Sequence, residues 1–368
     1  MHVAIDARRI NTSTGRYIER LLHHLQELDA ANDYTVLMPE EDLSYWQPSA
    51  KNFRVVNSDF EIYSLGEQSG FLRQLNKIDA DLVHFPMPQQ PVLYRGKHVT
   101  TFHDLTLLNT YNSDKNWLVY RVKQAVGRFA FRHSLSSSSH ILTGTEFTKN
   151  ALIDFAGTAA SKITVTPYAA EAPISWSVSS SVPQPDLPFR RFILYVGQQP
   201  DYKNIRRLGE AHQKLLDTDP ALGLVLAGRM NPAAQQNLDY FTERGYKNIH
   251  FTGYISDETL DEYYRHASAY VFPSLMEGFG LPGLEAMQRH LPVVSSNATC
   301  LPEVYGDAAE YFDPLDTDDM AAAIRRVIDD EERHVELTGL GLKRASQFSW
   351  RRMAEQTLAI YSEALAQN

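Results

Sequence analysis

The chain has 368 residues, 43% of them hydrophobic and 22% charged, with a formal net charge of −10. That length exceeds one ordinary core and suits two domains, and no apolar run approaches the roughly 20 residues of a bilayer-crossing helix. The negative balance excludes a general nucleic-acid binder, and the lone Cys300 excludes an internal disulfide and a multi-cysteine metal site, leaving a buried small residue as its plain reading.

The opening MHVAIDARRI is a short strand pattern without the basic-then-apolar layout of a signal peptide, which points to a cytoplasmic chain. Strands are expected at His2 to Asp6, Tyr34 to Met38, Leu82 to Phe85, His98 to Phe102, His140 to Thr143 and Ile163 to Thr166, with amphipathic helices between them. Alternation of this kind means a parallel sheet. From 115 to 133 runs a basic amphipathic helix: Lys115, Arg121, Lys123, Arg128 and Arg132, with no acid among them, interleave with aromatic and aliphatic residues. It has two readings, an apolar stripe laid on its own sheet or contact with the anionic inner face of a membrane.

A linker rich in Ser and Pro, Ser175 to Pro188, separates this half from a second strand series at Phe192 to Val196, Gly223 to Ala227, Ile249 to Phe251, Ala269 to Phe272 and Pro292 to Ser295. Helices are expected at Asn204 to Thr218, Asp257 to Arg265, Pro282 to Arg289, Met320 to Asp330 and about Trp350 to Leu365. The expectation is therefore α/β, with residues 1–180 and 188–348 as two domains and 349–368 as a closing helix. Ligands in such folds sit at the carboxyl ends of the strands.

The strongest chemical signal is PSLMEGFGLPGLEAM, Pro273 to Met287, which follows a strand, passes three glycines and opens a helix. Gly278, Gly280 and Gly283 let backbone approach a ligand, and the amides of Phe279, Gly280 and Leu281 at the helix start suit a diphosphate. Pro282 lacks a donor that would be spare there anyway. Glu277 and Glu285 bracket the loop, the first suited to a sugar and the second to a ribose diol. GFGLPG also fits a dinucleotide fingerprint, but it lies late in the chain and the next expected strand ends in Ser296 and Asn297 rather than an acid, which argues against a nicotinamide enzyme.

This segment resembles the EX7E motif of the retaining glycosyltransferases with the GT-B fold, family 4 or group 1. NTSTGRYIERLL, TFHDLTLL, TGTEFTKNAL, YVGQQPDYKN and FSWRRMAEQTLAIYSEAL resemble further family segments in the same order, the similarity being greatest to bacterial mannosyltransferases of polysaccharide and lipopolysaccharide assembly. The resemblance implies two Rossmann-like doubly wound domains facing across a cleft, an acceptor-binding first and a nucleotide-sugar-binding second, the last helix crossing back to the first. It implies Glu277 on the transferred sugar, Phe279 to Leu281 on the distal phosphate, Glu285 on the ribose, and Lys203 neutralising the departing diphosphate. His103 then lies beside the donor sugar, and Asp104 has two readings, orienting the acceptor or capping the next helix. Gly15 belongs to the first phosphate loop.

Two positions depart from the family. Gln198 stands where an arginine is usual, with Arg229 or Arg206 as the substitute, and the first loop keeps one glycine of a usual pair. The DxD patterns Asp217 to Asp219 and Asp316 to Asp318 read as helix-boundary acids rather than metal ligands, so the expectation is a nucleotide diphosphate sugar, GDP-mannose first, used without metal or other cofactor. The acceptor is a glycan or a lipid-linked acceptor. A sugar phosphorylase, a nucleotide-sugar epimerase and a non-catalytic donor-binding subunit are the rivals on the same architecture.

Overall fold

The computed structural model describes residues 1–12, 14–109, 117–170 and 187–366. Lys115, most of the Ser175 to Pro188 linker and Ser13 lie outside the described residues, as do the side chains of Trp117 to Tyr120 and of Lys123. The chain forms two compact units, Met1–Tyr168 with Ser349–Asn368, and Ala169–Phe348.

The first unit contains β1 (His2–Asp6), α1 (Gly15–Leu28), β2 (Asp33–Met38), β3 (Phe53–Asn57), α2 (Leu72–Ile78), β4 (Leu82–Phe85), β5 (His98–Phe102), α3 (Thr106–Asn109), α4 (Trp117–Ser137), β6 (His140–Thr143), α5 (Glu146–Ala156) and β7 (Ile163–Val165). Its seven strands lie in the order β3-β2-β1-β4-β5-β6-β7, every pairing parallel. Central strands buried on both faces read as near-continuous apolar or β-branched runs, and β4, β5 and β6 are buried at every position. Helix α1 buries Tyr17, Ile18, Leu21, Leu22 and Leu25, one helical stripe, and the closing helix α13 (Trp350–Ala366) packs on α1 and on β5 and β6.

The second unit contains β8 (Phe192–Val196), α6 (Ile205–Leu215), β9 (Gly223–Ala227), α7 (Pro232–Glu243), β10 (Ile249–Gly253), α8 (Asp257–His266), β11 (Ala269–Phe272), α9 (Leu281–Gln288), β12 (Val293–Ser296), α10 (Leu301–Tyr305), β13 (Ala309–Phe312), α11 (Thr317–Ile328) and α12 (Glu331–Ala345). Its order is β10-β9-β8-β11-β12-β13, again parallel throughout. Both sheets therefore reverse direction once: between β1 and β4 in the first unit, between β8 and β11 in the second. At such a reversal the loops leaving the two strands diverge to opposite faces and open a crevice, which makes these two places the natural ligand sites.

Candidate active site

In the second unit the reversal is occupied by charge. Lys203, from the loop after β8, places Nζ 2.6 Å from Oε1 of Glu277, from the loop after β11, with the two side chains only 17% and 11% exposed. The backbone explains the placement. Asn204 adopts a left-handed conformation (φ 61°) that turns the chain into α6, and its Nδ2 donates to the carbonyls of Pro273 (3.0 Å) and Pro314 (2.7 Å). Leu275 N donates to Tyr202 O at 2.8 Å, so the two loops are sewn together on either side of the lysine. The Glu277 amide donates to Thr299 Oγ1 and the Cys300 thiol to the Glu277 carbonyl, each at 3.3 Å. Cys300 is buried as the sequence suggested, its thiol pushed up by burial and by the Glu277 charge.

The glycine loop is real, but two of its glycines have another reason. Gly280 (φ 98°) caps α9, and a Cβ there would lie 2.5 Å from Tyr305 Oη; at Gly283 it would lie 2.3 Å from the same oxygen. Tyr305, fully buried, donates to the Gly280 carbonyl at 2.6 Å. These glycines make room for an internal tyrosine that shapes the loop, rather than for a ligand directly. Phe279 packs edge-on against Phe348, ring centroids 5.7 Å apart, anchoring the turn that leads into α9. Pro282 stands in the first turn, which holds no acidic residue, so the positive end of the helix dipole is not offset there by a carboxylate of its own.

Glu285 lies on α9 and accepts from Tyr264 Oη at 3.3 Å. Arg229 is exposed on the loop after β9, its guanidinium 5.0 Å from the Tyr254 ring centroid. Gln198 is exposed too, its carbonyl taken by Tyr195 Oη at 2.6 Å. Arg206 is turned to α7, donating to Asn237 Oδ1 at 3.2 Å, so of the two substitutes only Arg229 is not tied to a neighbouring helix. Two buried polar atoms lie unmatched in the same pair of loops: Gln199 Nε2 and Ser274 Oγ have no protein partner. Neither residue drew notice in the sequence, although Gln199 stands next to Gln198. Unmatched buried polar atoms are rare and point to a ligand or water.

In the first unit the chemistry is neutral. His103 follows β5 and lies between two tyrosine rings, centroids 5.1 Å (Tyr17) and 5.5 Å (Tyr168) away, with Nδ1 2.7 Å from Tyr168 Oη. Burial pushes its pKa down to about 4, the Pro86 carbonyl pulling the other way, so at neutral pH it is an uncharged imidazole; its Nε2 has no hydrogen-bond partner. Tyr168 stacks in turn on Trp350 of α13 at 5.8 Å. A hydrogen-bonded chain supports Tyr17 from behind: Tyr361 Oη to His84 Nδ1 (2.7 Å), His84 Nε2 to Thr101 Oγ1 (2.8 Å), Thr101 Oγ1 to Tyr17 Oη (3.0 Å). None of these supporting residues is legible in the sequence, because α1, β4, β5, the segment after β7 and α13 must first be brought together. Asp104 Oδ1 accepts from Thr106 N at 2.8 Å, the capping geometry of its two readings.

Gly15 has a local structural reason. Its amide donates to Thr12 O at 2.9 Å, and a Cβ would fall 1.7 Å from Ile10 O, so this glycine lets the loop fold onto itself. The DxD acids are also engaged within the protein. Asp219 pairs with Arg191, Asp316 Oδ1 accepts from the amides of Asp318 and Asp319, and Asp318 pairs with Lys214.

In the second unit the switch point of a parallel sheet thus carries a lysine paired with a glutamate, with the N-terminus of α9 beside them. The family pattern "Glycosyltransferase Family 4" matches residues 14–170 and "Glycosyl transferases group 1" matches residues 185–341. The chain belongs to this glycosyltransferase family and is a glycosyltransferase. It is 35% identical over 272 residues to the O-antigen chain mannosyltransferase B of Escherichia coli, covering 72% of this chain and 69% of that protein. A serotype-specific mannosyltransferase, WbdA, of the same organism is 28% identical over 280 residues, 73% of this chain but 34% of that longer protein. Among solved structures, sucrose-phosphate synthase of Thermosynechococcus elongatus superposes over 100% of both chains at a TM-score of 0.78 and 17% identity, which shows the shared GT-B fold.

Proposed function

We propose that the chain transfers mannose from GDP-mannose to a hydroxyl of a glycan or lipid-linked acceptor, with retention of configuration and without a metal. The observation that carries this reading is the Lys203–Glu277 pair at the switch point, beside the N-terminus of α9. A diphosphate entering there draws Lys203 to itself and frees Glu277 for the hydroxyls of the donor sugar. The acceptor oxygen forms its bond to the anomeric carbon as the bond to the β-phosphate oxygen breaks on the same face. The diphosphate leaves with the bonding pair and takes the acceptor proton, its charge met by Lys203 and the amides of Gly280 and Leu281. Glu285 holds the ribose. His103, uncharged, hydrogen-bonds the donor sugar through Nε2 without adding a positive charge beside an oxocarbenium-like centre. The mannose assignment is supported by the names of the relatives.

A panel of nucleotide diphosphates and nucleotide sugars, with and without EDTA, tests the reading by thermal shift on the wild type and on Glu285→Ala. A rise selective for GDP and GDP-mannose that survives EDTA and disappears in the variant is expected; no response to any nucleotide sinks it, and loss of the response with EDTA sinks the metal-free part.

The same reading includes peripheral attachment to an anionic membrane surface. No helix among the described residues is long and apolar enough to cross a membrane, but α4 exposes Val126 (58%) and Phe129 (61%) beside Arg128 and Arg132. Co-sedimentation with phosphatidylglycerol vesicles but not with phosphatidylcholine vesicles is expected, and Phe129→Ser with Arg132→Ser abolishes it; equal pelleting with both vesicles rules it out.

A further inference from the structure

Helices α8 and α9 are cross-linked at one turn, and the link surrounds Glu285. Arg289, at the carboxyl end of α9, donates from Nε to Asp261 Oδ1 on α8 at 2.7 Å and from Nη1 back to the Glu285 carbonyl at 3.1 Å. Asp261 Oδ2 accepts from Arg265 Nε at 2.6 Å, so the aspartate is held through both oxygens. The Arg289 side chain is only 8% exposed, and its guanidinium lies 5.0 Å from the Tyr264 ring centroid. Tyr264, itself buried on α8, extends its hydroxyl to Glu285 Oε2 at 3.3 Å. One turn of α9 is thereby tied at its backbone by Arg289 and at its carboxylate by Tyr264.

The terminal torsion of a glutamate is broad and nearly two-fold, so a carboxylate held only by its stem turns easily. A vicinal diol is read best when both hydroxyls meet one carboxylate plane, and a donor fixed to one oxygen sets that plane before the ligand arrives. A single bond from a tyrosine uses one lone-pair position of the carboxylate and leaves others for a ligand. Packing alone does not ask for this hydroxyl. Tyr270, on β11 with its ring centroid 6.1 Å from that of Tyr264, is fully buried, and its hydroxyl has no partner among the described residues. The core at this place tolerates an unmatched hydroxyl, whereas that of Tyr264 is directed at Glu285.

We infer that Tyr264 is a positioning residue which, with Arg289 and Asp261, sets the plane of the Glu285 carboxylate and makes the donor site selective for nucleotides that carry both ribose hydroxyls. A nucleotide without the diol leaves the oriented carboxylate without its ligand and loses the preorganised bonds. This rests on the reading of Glu285 as the ribose ligand and names the residues that give that ligand its selectivity.

The test titrates the full chain with GDP and with 2′,3′-dideoxy-GDP and takes the ratio of the two affinities, a readout that loss of packing alone does not move. The wild type is expected to prefer GDP by about thirtyfold or more, and Glu285→Ala to reduce the ratio to about threefold or less. Tyr264→Phe, which removes the hydroxyl and keeps the ring against Arg289, is expected to lower the ratio to about a third of the wild-type value or below. Added to Glu285→Ala, it should lower the ratio no further, since it acts through that carboxylate. Arg289→Lys keeps a cation opposite Asp261 and loses the bond to the Glu285 carbonyl, and is expected to lower the ratio about twofold or more. The thermal transition checks the folding of each variant; where Tyr264→Phe proves unfolded, the Arg289→Lys ratio decides in its place. A Tyr264→Phe ratio equal to that of the wild type, or a further fall in the double variant, overturns the inference. With the preference lost in Glu285→Ala and intact in Tyr264→Phe, only this inference falls. With no preference in the wild type, or one that Glu285→Ala leaves unchanged, the ribose reading of Glu285 has failed and takes this inference with it.

Discussion

The two switch points are built on the same sheet geometry and filled with opposite electrostatics. The second unit sets Lys203 against Glu277 beside a helix terminus, a site waiting for an anion to break the pair. The first unit holds His103 uncharged between tyrosines and gathers carboxylates at the carboxyl ends of β1, β2 and β3. The difference follows from what each substrate brings. In the proposed reaction a nucleotide sugar carries a diphosphate whose charge grows on departure, so charge and amides must be in place, whereas a sugar hydroxyl asks only for hydrogen bonds.

The largest test of that division removes the charge. Lys203→Ala strips the cation from the leaving group and leaves the largely buried Glu277 without its partner, so kcat/KM is expected to fall by about 10³. Glu277→Gln should fall by about 10² while retaining nucleotide diphosphate binding, since Lys203 is then released to the phosphate. Steady-state donor turnover and nucleotide titration measure both. A Lys203→Ala chain with near-normal turnover would show that the pair is structural.

On the neutral side, His103→Ala is expected to lower kcat/KM by about 10², and His103→Gln, which keeps a neutral donor at a similar reach, by less. Because the imidazole pKa lies at about 4, the activity of the wild type should show no limb attributable to this histidine between pH 6 and 8. A limb near pH 6.5 that disappears in His103→Gln would mean that the site uses the imidazolium, and the contrast between the two units would fail.

How much of this was readable beforehand depends on where a residue draws its partners. Strands β4, β5, β6, β8, β9 and β11 appear at the expected bounds because burial on both faces leaves continuous apolar runs. The edge strands β3 and β13 were not foreseen; they are short and carry Arg54 and Glu310, the latter paired with Arg326 and Arg333. Helix α12 was also not foreseen, since Gly339 and Gly341 weaken its pattern; Gly341 is there because a Cβ would meet Met287 of α9 at 2.9 Å. Of the proposed site residues, Lys203, Glu277 and His103 stand in segments that follow strands, and Glu285 on the helix that follows one, which is what drew attention to them in the sequence. The parts that hold them, Asn204, Tyr305, Tyr168 and the Tyr361–His84–Thr101–Tyr17 chain, exist only once distant elements meet.

Tyr305 turns that lesson into the next prediction. Gly283→Ala places a methyl against the tyrosine hydroxyl and should destabilise the chain by about 1–3 kcal/mol, read as a lower midpoint in urea. It should also weaken nucleotide binding, since the loop is displaced. Shortening the obstacle with Tyr305→Leu in the same chain should recover part of the stability lost. An alanine at 283 that leaves stability untouched but destroys binding would restore the ligand-approach explanation for the glycine.

The smallest expected effect concerns pH and both units at once. Burial holds His84, in the first unit, down at about 3 and His212, in the second, at about 4, with the Leu222 carbonyl accepting from or facing His212 Nε2 at 3.2 Å. Each folded pKa lies below the unfolded value of about 6.5, so the unfolded chain binds the extra proton. The stability each neutral imidazole contributes is therefore present above pH 6.5 and is lost as pH falls toward the folded pKa. Between pH 7 and 5 the loss should be about 2 kcal/mol for each residue, before carboxylate effects. Urea midpoints across that range measure it. His212→Gln should flatten part of the slope contributed by the second unit, and His84→Gln part of that of the first, where His103 contributes with the same sign; the latter also cuts the chain behind Tyr17 and so lowers kcat more than it changes donor KM. A slope that neither substitution alters would mean that acid sensitivity arises elsewhere and that the two buried histidines are matched in the unfolded chain.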